Sequence, residues 1–283
     1  MRKQAGLTRI DVAVALACLA LVLAQAAVLN AGGRERSKRE VCLANLRSLA
    51  SAWQTYSNDN SGKIPCGNVW YSWNFVAPQL AWVELPHPFP HPMPPSKATN
   101  HDSAYTYGSS ITQAAWRHAI AEGTMWKYVG NYDIYGCPSA GKDQYVTYSM
   151  SQSMSADPKA TQTWPYLFLI NQIKRPAETF VFIDTGYTGS GGFYIEYVPS
   201  LHWGDLPPVI HNQGTTFVFA DGHAIYRKWT DPHTLNIISN YPGWNVDDGQ
   251  GNCDCDLRWM TQVTWGQIYP ASNCTNPNKH CEY

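Results

Sequence analysis

From Val12 to Leu29 the chain carries no charge, and only Cys18 and Gln25 interrupt a run of aliphatic residues. As a helix those 18 residues would span roughly 27 Å, close to a bilayer core of about 30 Å. Ala31-Gly32-Gly33 follows and is expected to interrupt or kink the helix. The next segment, RERSKRE, places Glu35 opposite Arg39 and Arg36 opposite Glu40 at i,i+4, which reads as a solvated helical turn. Then Cys42, Leu46, Leu49, Trp53 and Tyr56 recur in steps of 4, 3, 4 and 3. This is one apolar stripe of an amphipathic helix, and it needs a sheet to cover it. Turn residues Asn58 to Gly62 stop the helix.

Beyond residue 60 the pattern shortens. The stretch 86–95, PHPFPHPMPP, excludes helix and central strand, and His87 and His91 read as solvated spacers in it. Ile111, Ala114, Ala115, His118 and Ala119 predict a short helix ending near Glu122-Gly123. Phe180 to Ile183 is a β-rich run introduced by Arg175-Pro176 and closed by Asp184. Thr215 to Ala220 predicts a strand, Asp221-Gly222 a two-residue type I′ turn, and His223 to Trp229 the return strand. A helix is signalled next by Asp231 as N-cap and Pro232 at its first position. The fold class predicted is α+β: one long N-terminal helix, membrane-embedded over its first half, packed on an antiparallel β-sheet. Its parts are a leader at 1–6, a transmembrane helix at 7–30, an amphipathic helix at 31–59 and an extracytoplasmic globular domain at 60–283.

The 283 residues suit one large or two modest domains. Charged residues are only 14%, which argues against disorder and coiled coil, and the net charge of -1 excludes a global field for nucleic acid. Four of the eight cysteines, Cys253, Cys255, Cys274 and Cys281, crowd the tail and read as disulfides of an oxidising compartment. Asp247, Asp248, Asn252, Asp254 and Asp256 sit in the same Gly-rich tail, and oxygen ligands on a loop suit Ca²⁺. The competing reading is a solvated, disulfide-pinned loop, so no cofactor is assigned. Enzyme signatures are missing: there is no G-x-S-x-G, no HExxH, and no phosphate loop at Thr188–Gly192. No catalytic residue is expected. Trp70, Tyr71, Trp73, Trp82, Trp116 and Trp126 offer a glycan platform on one reading and core packing on the other.

The N-terminus supports three readings. Arg2 and Lys3 precede the apolar run and fix that end in the cytoplasm. Ala24-Gln25-Ala26 would serve a secretory signal peptidase, and an uncleaved anchor is the second reading. The third follows from GLTRIDVAVALACLALV, which resembles the N-terminal signature of type IV pilins and type II secretion pseudopilins. The resemblance implies cleavage after Gly6, methylation of Leu7 as the mature first residue, and Asp11 as the assembly acid that pairs with a neighbour's N-terminal amine. An acid at the edge of a membrane segment is costly and calls for such a cationic partner. Arg9, a cation beside it, would compete for Asp11 and weaken polymerisation, and it is the feature that favours an anchored or secreted binding module instead.

CLANLRSLASAWQTYSNDNSGKIP and HNQGTTFVFADGHA resemble the prepilin-type processing-associated family, defined by a His, nine residues and Asp-Gly. Here those are His211, Asp221 and Gly222. Cys137-Pro138 matches a Cys-Pro element of that family, with Cys66 one candidate partner for Cys137 among open pairings. The motif reads structurally as a turn with its supporting His. The functional reading gathers His211, Asp221, His223 and Asp184 at one sheet end as a metal or docking site. Calcium in the C-terminal loops of related pseudopilins adds to the Ca²⁺ reading of the tail. The resemblance implies a pseudopilin-like structural subunit, single-pass in a bacterial inner membrane, with a prepilin peptidase and sister pseudopilins as partners. The alternative is an anchored or secreted binding module for glycans or peptides.

Overall fold

A computed structural model describes residues 9–67, 81–83, 112–142, 144–154, 165–187, 192–197, 203–240, 254–266 and 281. Helix α1, Arg9–Asp59, has 51 residues, about 75 Å at 1.5 Å per residue. It runs through Gly32-Gly33 as one helix, against the expected interruption there. A Cβ at either glycine would meet open space, so nothing packs there to bend it. Among the described residues no helix is long and apolar enough to cross a membrane; most side chains of the expected 7–30 span lie outside that description.

The remaining helices are α2 (Gln113–Glu122), α3 (Trp126–Val129), α4 (Pro232–Asn240) and α5 (Cys255–Trp265). Five strands, β1 (Tyr148–Ser151), β2 (Phe180–Asp184), β3 (Gly192–Phe193), β4 (Gly214–Phe219) and β5 (Ala224–Lys228), form one sheet in the order β3-β1-β2-β4-β5. The protein is thus α+β, but the sheet is mixed rather than purely antiparallel: β1 and β3 run parallel.

Both faces of the sheet are covered. On one side Cys42, Leu46, Leu49 and Trp53 of α1 pack with Tyr148, Phe182 and Val218. On the other, Phe180, Ile183, Phe217 and Phe219 pack with Trp203, Trp229 and the α5 residues Leu257, Trp259 and Met260. Hence β2 and β4 are buried along their whole length, as strands covered on both faces must be. The register between β2 and β4 shifts between Phe180 and Phe182. The bulge turns both Val181 and Phe182 toward the α1 side, which strict alternation forbids.

The sequence pattern does not announce the second cover. Within the tail, Cys255–Trp265 form α5, capped by Asp254, whose carboxylate accepts from the Leu257 N–H at 2.9 Å. Cys255–Cys281 is a disulfide, so two of the four tail cysteines form the expected staple. Cys253 and Cys274 lie outside the described residues.

Candidate functional site

β2 and β4 are antiparallel, so the end of β2 lies beside the approach to β4. That brings Asp184, the last residue of β2, next to His211, three residues before β4. The approach is a tight turn: Asn212 and Gln213 have φ of 51° and 63°, a region that non-glycine residues adopt only in special turns. The turn is closed by His211 N–H donating to Gly214 O at 3.0 Å, and the Tyr226 hydroxyl donates to His211 O at 2.8 Å. His211 is fully buried.

Four buried groups from four places in the chain converge there: Cys42 on α1, Cys137 in the loop before β1, Asp184 and His211. One ligand atom from each lies within 4.8 Å of all the others. Cys42 Sγ is 2.7 Å from Cys137 Sγ. His211 Nε2 is 3.2 Å from Asp184 Oδ2 and 3.5 Å from Cys137 Sγ. His211 Nδ1 lies 2.6 Å from Glu35 Oε1. The backbone supports the acceptors: Ser139 N–H points at Cys137 Sγ at 3.3 Å, and Gly186 N–H donates to Asp184 Oδ1 at 3.0 Å. The Thr215 hydroxyl donates to Asp184 O.

Burial alone would keep His211 neutral. Hydrogen bonds with Asp184, Cys137 and Glu35 outweigh it and push the imidazole up to about 10. The Cys42 thiol donates to Cys137, which lowers the Cys137 pKa and, with burial, raises that of Cys42. The imidazole thus has a carboxylate beside each ring nitrogen, Glu35 at Nδ1 and Asp184 at Nε2.

Helix α1 reaches this centre through residues seven apart. Glu35 and Cys42 are two turns apart and share the face that continues into Leu46 and Leu49. Glu35 and Arg39 do not form the solvated pair that their spacing suggests. Glu35 faces His211, and the Arg39 guanidinium lies 4.2 Å over the Tyr226 ring.

The His-x9-Asp-Gly motif does not gather into one place. His211 and the Asp221-Gly222 turn lie at opposite ends of the six-residue strand β4, roughly 20 Å apart at about 3.3 Å per residue. Of the residues expected to cluster, His211 and Asp184 meet, while Asp221 and His223 pair with each other at the far end, Oδ1 to Nδ1 at 2.6 Å. That partner, with backbone N–H groups, lowers the Asp221 pKa against the effect of burial. The turn itself is not type I′, since only Gly222, with φ of 93°, has the positive φ that type I′ needs at both central residues. Gly222 N–H donates to Phe219 O, and Phe219 N–H donates to His223 O, both at 2.9 Å. This is a three-residue connection ending in a left-handed glycine. Each motif end touches α1: His211 through Glu35, and the turn through Gln54 Nε2, which donates to Ala220 O at 2.8 Å. The nine residues between the two ends hold the six-residue strand β4 and the turn residues that flank it.

Cys137 meets Cys42 and not Cys66, whose backbone pairs with Ala81. Gly6 and Leu7 lie outside the described residues, as do Asp247, Asp248 and Asn252; Asp11 falls within α1, its side chain undescribed. The Asp254 and Asp256 carboxylates are taken by protein donors. Asp254 Oδ2 accepts from the Thr234 hydroxyl at 2.7 Å, and Asp256 Oδ2 from the backbone N–H of Thr230 and Asp231 at 2.7 and 2.8 Å. Among the aromatics considered as a glycan platform, Trp82 and Trp116 are buried in the core, and Trp126 stacks on Tyr132 at 4.2 Å. Trp70, Tyr71 and Trp73 lie outside the described residues.

No family model, curated protein or solved structure matches the chain.

Proposed function

We propose that the chain is a pseudopilin-like structural subunit of a type II secretion or type IV pilus-like assembly, anchored in the inner membrane by its N-terminal helix. The observation that carries this reading is the division of α1. Its described contacts with the head begin at Glu35 and run toward Asp59. Ahead of them, the described side chains of Val14 and Leu16 are 57% and 61% exposed. A helix docked over one half, whose other half is apolar in sequence and exposed at these described side chains, needs lipid or sister helices to cover it. The sequence motifs around Gly6 and at His211, Asp221 and Gly222 support the same reading.

The mechanism is assembly rather than catalysis. A prepilin peptidase cuts after Gly6. The new amine of one subunit at Leu7 is neutralised by Asp11 of the next, the apolar helices bundle, and the heads face outward. The Asp11 charge is retained because a specific cation compensates the cost of placing it at the membrane. The test is cross-linking of the full chain in native membranes. Asp11→Ala is expected to abolish the ladder of cross-linked subunits, and Asp11→Glu to preserve it. A ladder unchanged by Asp11→Ala overturns the proposal.

A further inference from the structure

We propose that Cys42, Cys137, Asp184 and His211 form a metal site for a divalent ion of the zinc class, and that the metal fastens helix α1 to the head. Four features carry this. The donor set, two sulfurs, one imidazole nitrogen and one carboxylate oxygen, is of the kind that holds Zn²⁺ with four ligands. All four residues are buried, so the site is closed, as structural zinc sites are.

The distances also fit. With bonds of about 2.3 Å to sulfur and about 2.0 Å to nitrogen and oxygen, a tetrahedral site has sulfur–nitrogen edges of about 3.5 Å and nitrogen–oxygen edges of about 3.3 Å. The observed Cys137 Sγ to His211 Nε2 separation is 3.5 Å, and His211 Nε2 to Asp184 Oδ2 is 3.2 Å. The two sulfurs, at 2.7 Å, must part by about 1 Å to reach a sulfur–sulfur edge of about 3.8 Å.

Finally, the surroundings match those of a ligated histidine. With Nε2 on the metal, His211 Nδ1–H donates to Glu35, 2.6 Å away, the carboxylate–histidine arrangement that orients metal-bound imidazoles. The Ser139 N–H at 3.3 Å from Cys137 Sγ suits a thiolate. A disulfide between Cys42 and Cys137 would use the two sulfurs alone, whereas here a carboxylate oxygen and an imidazole nitrogen are brought to the same point.

Binding is a ligand exchange without a change in oxidation state. The two thiol protons and the Nε2 proton leave to solvent, and the metal takes their place. Two thiolates and one carboxylate then leave the first shell with a net charge of −1. The consequence is mechanical: a ligand on α1 and three ligands on the head share one ion, on the same helix face that docks on the sheet.

The experiment uses the full chain, purified in detergent, reduced, stripped of metal, and checked for helix content by circular dichroism. Co²⁺ titration is expected to give one equivalent per chain, with sulfur-to-cobalt charge-transfer bands and the visible bands of a four-coordinate ion, displaced by Zn²⁺. Cys137→Ser and Cys42→Ser should weaken the charge-transfer bands by about half each, while Cys18→Ser should leave them unchanged. A folded, reduced wild-type chain that takes up less than about a tenth of an equivalent of Co²⁺ overturns the proposal, and this readout requires no variant. So does a Cys42–Cys137 disulfide peptide found by mass spectrometry as the main species in native membranes.

Discussion

The substitution Asp205→Asn should make the protein progressively more stable than the native chain as pH rises from 4 to 8. Asp205 is buried, and its Oδ2 accepts the Tyr194 N–H at 2.6 Å while its own N–H donates to Tyr194 O at 2.9 Å. Burial raises its pKa to about 7 from 3.8, and the Tyr194 N–H offsets this only in part. A carboxyl whose folded pKa lies above its unfolded pKa holds a proton in the fold that the unfolded chain has already released. Folding is therefore unpenalised below pH 4, loses stability steadily between pH 4 and 7, and bears the whole cost above pH 7. Three pH units at about 1.4 kcal/mol each give about 4 kcal/mol. The asparagine side chain does not titrate and still offers a carbonyl oxygen to Tyr194 N–H. Its amide protons add an offset that is independent of pH. Urea unfolding of the full chain in detergent at pH 4.5, 6 and 8 measures the difference between Asp205→Asn and the native chain. The difference should grow by about 3 kcal/mol between pH 4.5 and 8, the remainder of the effect lying below pH 4.5. A difference that stays constant or shrinks with pH would refute the reasoning.

Other expectations concern the docking of α1 and the tight places in the head. Gln54→Ala removes the donor to Ala220 O and should cost about 1–2 kcal/mol in urea unfolding, with Gln54→Glu no better because a carboxylate cannot donate. Gly204→Ala places a Cβ 1.8 Å from Tyr194 Cδ1, so the ring must shift, and a loss of about 1–3 kcal/mol should appear as a lower melting temperature. Gly33→Ala adds a side chain in open space and should strengthen the helix by about 1 kcal/mol, read as slower amide exchange at residues 34–37.

Much of the fold is local and therefore legible. The stripe Cys42, Leu46, Leu49 and Trp53 has helical period and is the buried face of α1. The runs at Phe180 and Thr215, the stop at Gly123 and the cap at Asp231 fall where propensity and turn chemistry put them. Asp221-Gly222 marks a hairpin but does not distinguish type I′ from a type I turn followed by a left-handed glycine, because both place Gly at the same point.

Helix α5 is hidden for a different reason. Asp256, Arg258, Thr261 and Thr264 are buried beside Leu257, Trp259 and Met260, so polar and apolar residues share every face and no stripe marks the helix. The polar ones are legible only through tertiary partners, as Asp256 accepting from Thr230 and Asp231 shows. The buried centre is half legible. Asp184 and His211 stand out as strand-end residues, but Cys42 reads as one more apolar position of the stripe. Cys137 lies 95 residues from Cys42, and nothing local predicts that they meet. The one available signal is that Glu35 extends the Cys42–Leu46 face by two turns, which marks an acid on the docking side of the helix.

The central claim is that the chain is a processed, assembling subunit, and the mature N-terminus tests it most directly. Intact-mass and N-terminal peptide analysis of the protein from native membranes should show a chain that begins at N-methylated Leu7. A chain that begins at Ala27, or one that retains Met1, would contradict the account.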